Sequence, residues 1–125
     1  ATGLAAVAFI ASPTGRILND NVGGDNVVSG KTYLFAAQDI GTASKALTTR
    51  VGNIQGQSTT GSTYIINTGA LSVGGVVNNL PNGLLSGGGV TLVTRSPLTI
   101  IENITAETDD INLTSTDNSD NDNIT

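Results

Sequence analysis

The chain has 125 residues, contains no Cys, His, Met or Trp, and carries a formal net charge of −5. Without Cys there is no disulfide framework and no thiolate metal site, and without His no Ser-His or Cys-His nucleophilic triad can be assembled. The acidic balance, with no basic stripe, argues against nucleic acid and anionic membranes as partners.

Thr, Val and Ile together number 39, and β-branched side chains suit a pleated strand better than a helix. Gly, Ser, Thr, Asn and Asp fill 65 positions, more than half the chain, and supply the turns. In chain order, Val7–Ala11 reads as a strand leading into the turn Ser12-Pro13-Thr14-Gly15, followed by a secondary strand Gly15–Leu18. The apolar run that holds the first of these, Leu4–Ala11, is too short to span a bilayer and lacks the basic start of a signal peptide. Thr32–Phe35 is the next strand, with Ala46–Val51 and Gly52–Ile54 behind it. Thr63–Ile66 precedes Ala70–Val73, and Val90–Val93 precedes Pro97–Ile101 and Asn103–Thr105. Ile111–Thr114 comes last. Asn78–Gly83 and Ser86–Gly89 read as loops, with Pro81 and Pro97 at corners because a central strand needs the N–H that proline lacks.

Five of these strands share an apolar-x-apolar phrase followed by a polar turn. They start at 7, 32, 63, 90 and 111, which makes the spacings 25, 31, 27 and 21 residues. A strand unit of that length with no helix cannot bury its own apolar stripe and must stack on its neighbours. The expected fold is therefore all-β, a right-handed parallel β-helix of about five coils, with residues 1–125 as one solenoid segment. The chain starts at Ala1 with no Met and reads as a piece of a longer repeat protein. The expected inward set is Val7, Phe9, Ile17, Leu34, Ile40, Leu47, Val51, Ile65, Leu71, Val73, Leu92, Leu98, Ile100, Ile104, Ile111 and Leu113. An immunoglobulin-like sandwich, the alternative, would carry more core aromatics than two Phe and two Tyr.

Charge divides the chain. Residues 1–101 carry a net +2, whereas 102–125 hold seven acids and no base, forming an acidic terminal coil. The phrases Asp39-Ile40-Gly41-Thr42-Ala43, Asn67-Thr68-Gly69-Ala70-Leu71, Ser96-Pro97-Leu98-Thr99 and Asp110-Ile111-Asn112-Leu113-Thr114 resemble the repeats of filamentous-haemagglutinin-like bacterial surface adhesins of two-partner secretion. The resemblance implies a parallel β-helix, export to the cell surface or exterior, and a role as the shaft of an adhesive fibre. It designates no catalytic residues, and the expectation is a non-catalytic chain. Its partners would be adjacent coils of the same polypeptide or stacked identical copies. A binding face for a host or polysaccharide ligand is the alternative, and a polysaccharide-degrading enzyme a more distant one.

Three acidic or polar groups bear on chemistry. Asp117, Ser119, Asp120, Asn121, Asp122 and Asn123 could direct oxygens at one Ca²⁺, which takes six to eight hard ligands. The sixth position of that run is Asp rather than Gly, so a solvated turn is the preferred reading and no cofactor is expected. Glu102, Glu107, Asp109 and Asp110 could supply the carboxylate pair of a glycosidase, but no Arg, Lys or aromatic accompanies them, and a charged turn fits better. Asn103, Asn112 and Asn123 open N-glycosylation sequons; turns or stacked ladders are their expected role.

Overall fold

The computed structural model describes residues 7–20, 23–77, 83–116 and 124, and within them the chain forms twelve short strands and no helix. Seven strands make one sheet: β1 (Val7–Ser12), β3 (Lys31–Ala36), β5 (Asn53–Ser58), β7 (Leu71–Val73), β8 (Leu84–Ser86), β10 (Leu98–Ile100) and β11 (Ile104–Ala106). Five make the other: β2 (Val27–Val28), β4 (Leu47–Arg50), β6 (Thr63–Asn67), β9 (Val90–Thr94) and β12 (Ile111–Ser115). Every pairing is parallel. Parallel neighbours need a long crossover between them, and here the crossover is a strand of the opposite sheet. The chain therefore winds between two sheets as a β-solenoid of about five turns.

Strict register stacks like side chains into inward columns. In the seven-stranded sheet one column runs Ala8, Thr32, Ile54, Val73, Ile100, and a second runs Ile10, Leu34, Gly56, Leu84, Ile104. The facing sheet supplies Leu47, Ile65, Leu92 and Leu113, and a row of bridges aligns Ile17, Ile40 and Thr63 with Val90 and Ile111. The middle members of these columns are buried, and each such Leu or Ile contributes about 1.5–3 kcal/mol by leaving water.

Polar columns mark the corners. Ser58 and Ser86 hydroxyls lie 2.7 Å apart, Ser58 also meets Thr63 at 2.9 Å, and Ser86 reaches Gly61 and Gly89 carbonyls. At the opposite corner Thr49, Asn67, Thr94 and Ser115 share one column. No buried side-chain nitrogen or oxygen among the described residues lacks a partner. Hydroxyls and amides can thus line the core without the penalty of an unmet hydrogen bond.

Two expectations need correction. The five repeated phrases do not form one column: those at 7 and 32 pair with each other in the seven-stranded sheet, while those at 63, 90 and 111 stack in the other. The phrase repeats because both sheets need the same alternation, so similarity alone does not fix the phase. The true step is 24 residues from Val7 to Lys31 and 22 from Lys31 to Asn53. In addition, Val7 and Phe9 point outward and are exposed, and Ala8 and Ile10 take the inward places. A one-residue slip moves every side chain to the other face. Ile111 lies in an inward column but is exposed, since it belongs to the last coil and nothing described stacks on it. Of the rest of the expected set, nine are buried and Ile17, Ile100, Ile104 and Leu113 are partly buried against the core.

Candidate functional site

In the seven-stranded sheet the stack divides at β5. β5 pairs with β7 through Asn53 and Ile54 and with β8 through Gly56 to Ser58, so one strand carries two. Between them the chain leaves the sheet at Gly74 and returns at Gly83, and residues 78–82 of this excursion lie outside the described part. Its base is built from glycines at φ 107° (Gly74), 74° (Gly75) and 64° (Gly83), the left-handed region that side chains resist.

Two side chains clamp this base. Gln55 Oε1 accepts from Val76 N at 2.6 Å and Val77 N at 2.9 Å, and its Nε2 donates to the Val77 carbonyl at 3.2 Å. Glu102, one coil further on, accepts from Gly75 N at 3.1 Å with one carboxylate oxygen and from Gly83 N at 2.8 Å with the other. Asn53 adds a bond to the Gly74 carbonyl at 2.9 Å. Gln55 is fully buried although it points away from the core, with its amide bonded to the backbone of Val76 and Val77.

Beside this clamp lies an aromatic surface. Phe9, Tyr33 and Phe35 occupy outward positions of β1 and β3, and the rings of Phe9 and Tyr33 are tilted, with centroids 6.0 Å apart. Such pairs are attractive beyond their buried area. Phe9 is the exposed member and Tyr33 is buried. Burial pushes the Tyr33 phenol above its ordinary pKa of 10.0, since the phenolate would lose water.

The carboxylates considered from sequence take different places in the stack. Glu102 serves the loop base, whereas Asp109 caps its own turn by accepting from Asp110 N at 2.8 Å, and Glu107, Asp109 and Asp110 are exposed. Among the described residues no three His, Cys, Asp or Glu side chains are grouped to hold a metal. The candidate Ca²⁺ ligands Asp117, Ser119, Asp120, Asn121 and Asp122, with Asn123, lie outside the described residues. Asn103 and Asn112 are exposed. Asp39 does work the sequence reading did not assign: it pairs with Arg16 at 3.1 Å and accepts from Ser62 N at 2.9 Å, tying three consecutive coils.

The roles of Gln55, Asn67 and Glu102 were also missed. The glycine pair Gly74-Gly75 and the lone Gly83 flanking a stretch of Asn and Pro were the available signal for a closed excursion. Comparison with known protein families, characterised proteins and solved structures returns no match.

Proposed function

We propose that this chain is a non-catalytic shaft segment of an exported surface fibre of the filamentous-haemagglutinin type. The observation that carries the reading is the parallel stack: among the described residues both sheets repeat their inward columns from coil to coil, while differences in coil length are taken up outside the strands. Such a build makes a straight spacer, and its rise is about 4.8 Å per coil. The resemblance of the repeat phrases supplies the family and the extracellular location.

Immunogold labelling of intact source cells, with antibody raised against the folded segment, tests this reading. Label along filaments outside the cell is the expected result. Label seen only after permeabilisation would refute it.

A second reading, a carbohydrate-binding face, is favoured by the outward aromatic group Phe9, Tyr33 and Phe35. It calls for binding to an oligosaccharide panel that is lost in Phe9→Ala. A panel without hits, or binding indifferent to Phe9, removes it.

A further inference from the structure

β8 is three residues long, Leu84-Leu85-Ser86, and on it the chain rejoins the seven-stranded sheet. Its apolar pattern does not fix its place. Leu84 is inward and buried while Leu85 points outward, so a slip of one residue would exchange one leucine for the other in the core. The partner strand does not choose between them either, since Leu84 lies opposite Gly56, which offers no side chain.

Ser86 does distinguish the alignments. It is fully buried, and its hydroxyl lies 2.7 Å from Ser58 Oγ and 2.9 Å from the carbonyl oxygens of both Gly61 and Gly89. Ser58, also fully buried, meets Thr63 Oγ1 at 2.9 Å and the Gly61 carbonyl at 3.2 Å. Thr63 is buried too and belongs to β6 of the facing sheet. Each hydroxyl has one proton to give. With Thr63 donating to Ser58, Ser58 to Ser86 and Ser86 to the Gly89 carbonyl, all three protons are used at once. The chain of donors joins both sheets and two successive coils.

Bulk does not call for serine here. The column that holds Ser58 and Ser86 has Ala36 on one side of them and Ala106 on the other, so alanine fits the same corner one coil away. Sliding β8 by one residue would put Leu85 or Gly87 opposite Ser58. Either alignment cuts the chain of donors between Ser58 and Ser86, and a buried hydroxyl that loses its partner is costly.

We propose that Ser58, Thr63 and Ser86 form a register key: their hydroxyls select which residue of the returning chain meets Ser58, and so restore coil alignment after the excursion between Gly74 and Gly83. Buried polar pairs set the alignment of coiled coils by the same means. The inference rests on the fold and is independent of the shaft reading.

The test traps the alignment in this Cys-free chain. Gln57 and Leu85 are outward cross-strand neighbours in the native register, at a separation a disulfide can span. Gln57→Cys/Leu85→Cys should therefore oxidise readily to an internal disulfide. Adding Ser58→Ala and Ser86→Ala should lower that yield about threefold or more, as slipped alignments become populated. Without the cysteines, the same two alanines should give a second set of amide resonances for Leu84 to Gly89. Thr94→Val is the control, because it removes a buried hydroxyl bonded locally, to the Ser96 carbonyl at 2.7 Å. It should lower the melting temperature but leave the disulfide yield and the single set of resonances unchanged. Full yield and one set of resonances in the Ser58→Ala/Ser86→Ala chain would overturn the proposal, however far its melting temperature fell. An equal loss of yield in Thr94→Val would do so as well. Should the two alanines together prevent folding, Ser86→Ala alone is read by the same two measurements, and native values there overturn the proposal.

Discussion

Asn67 satisfies both peptide groups of Val51 across a corner of the stack: its Oδ1 accepts from Val51 N at 3.0 Å, and its Nδ2 donates to the Val51 carbonyl at 3.2 Å. The same Oδ1 takes the Thr49 hydroxyl at 2.7 Å, and the side chain is fully buried. The corner after β4 thus obtains from one side chain the bonds that a sheet partner would otherwise supply.

Removing that amide strands a buried N–H and a buried carbonyl together. Asn67→Ala should cost about 2–4 kcal/mol in chemical denaturation, the sum of two unmet groups at about 1–3 kcal/mol each with partial relaxation. Asn67→Asp should cost at least as much, since it loses the donor and buries a charge. A loss below about 0.5 kcal/mol in Asn67→Ala would show that water replaces the amide.

Gly56 occupies an inward column between Leu34 and Leu84, where an added Cβ would sit 2.6 Å from the Leu34 carbonyl oxygen. Backbone cannot yield there without moving the sheet. Gly56→Ala should therefore destabilise by about 1–3 kcal/mol, the range for overpacking, despite the higher strand entropy of glycine. A variant as stable as the parent in denaturant melts would contradict the tight approach of these strands.

Glu102 acts on a local opening. In Glu102→Ala the amides of Gly75 and Gly83 lose their acceptor, so both should exchange hydrogen faster by about tenfold or more, while Leu34 and Leu92 amides in the core keep their protection. Global stability should fall by only about 1–2 kcal/mol, because the carboxylate is partly exposed. Unchanged exchange at Gly75 and Gly83 would show that the Gln55 bonds hold the base by themselves.

Tyr33 makes stability depend on pH in the alkaline range. Its phenol is an acid whose pKa is raised in the folded state by burial, so the unfolded chain releases the proton first. The sign follows: stability is unaffected below the unfolded pKa of about 10, and falls as pH rises through that value. Tyr33→Phe should remove this part of the decline, read as a flatter melting temperature between pH 9 and 11. An identical slope in the variant would place the effect elsewhere.

Alternation and turn chemistry made the fold class and the count of coils legible, because a parallel stack repeats the same local demand at each level. Leu34, Ile40, Leu47, Ile65, Leu92 and Leu98 were found for that reason. Phase was not legible at the edge: Val7-Ala8-Phe9-Ile10-Ala11 is apolar at every position, and an unbroken apolar run carries no period. Which column each phrase joined was hidden too, since both sheets ask for the same pattern. The clamps escaped because they join residues one coil apart: Gln55 with Val76, Glu102 with Gly75, Asn67 with Val51. Nothing local distinguishes those polar side chains from others in turns.

The parallel register has a mechanical side. Lys31 to Asn53 is one coil of 22 residues; wound, it adds about 4.8 Å to the length of the rod, and drawn out straight it spans about 75 Å. Each coil is held to the next by its own row of backbone bonds, so tension on one end can be relieved by peeling a single level while those beneath it stay wound. Contour length is thereby stored in small instalments, each able to lengthen the rod more than tenfold locally before the next is disturbed.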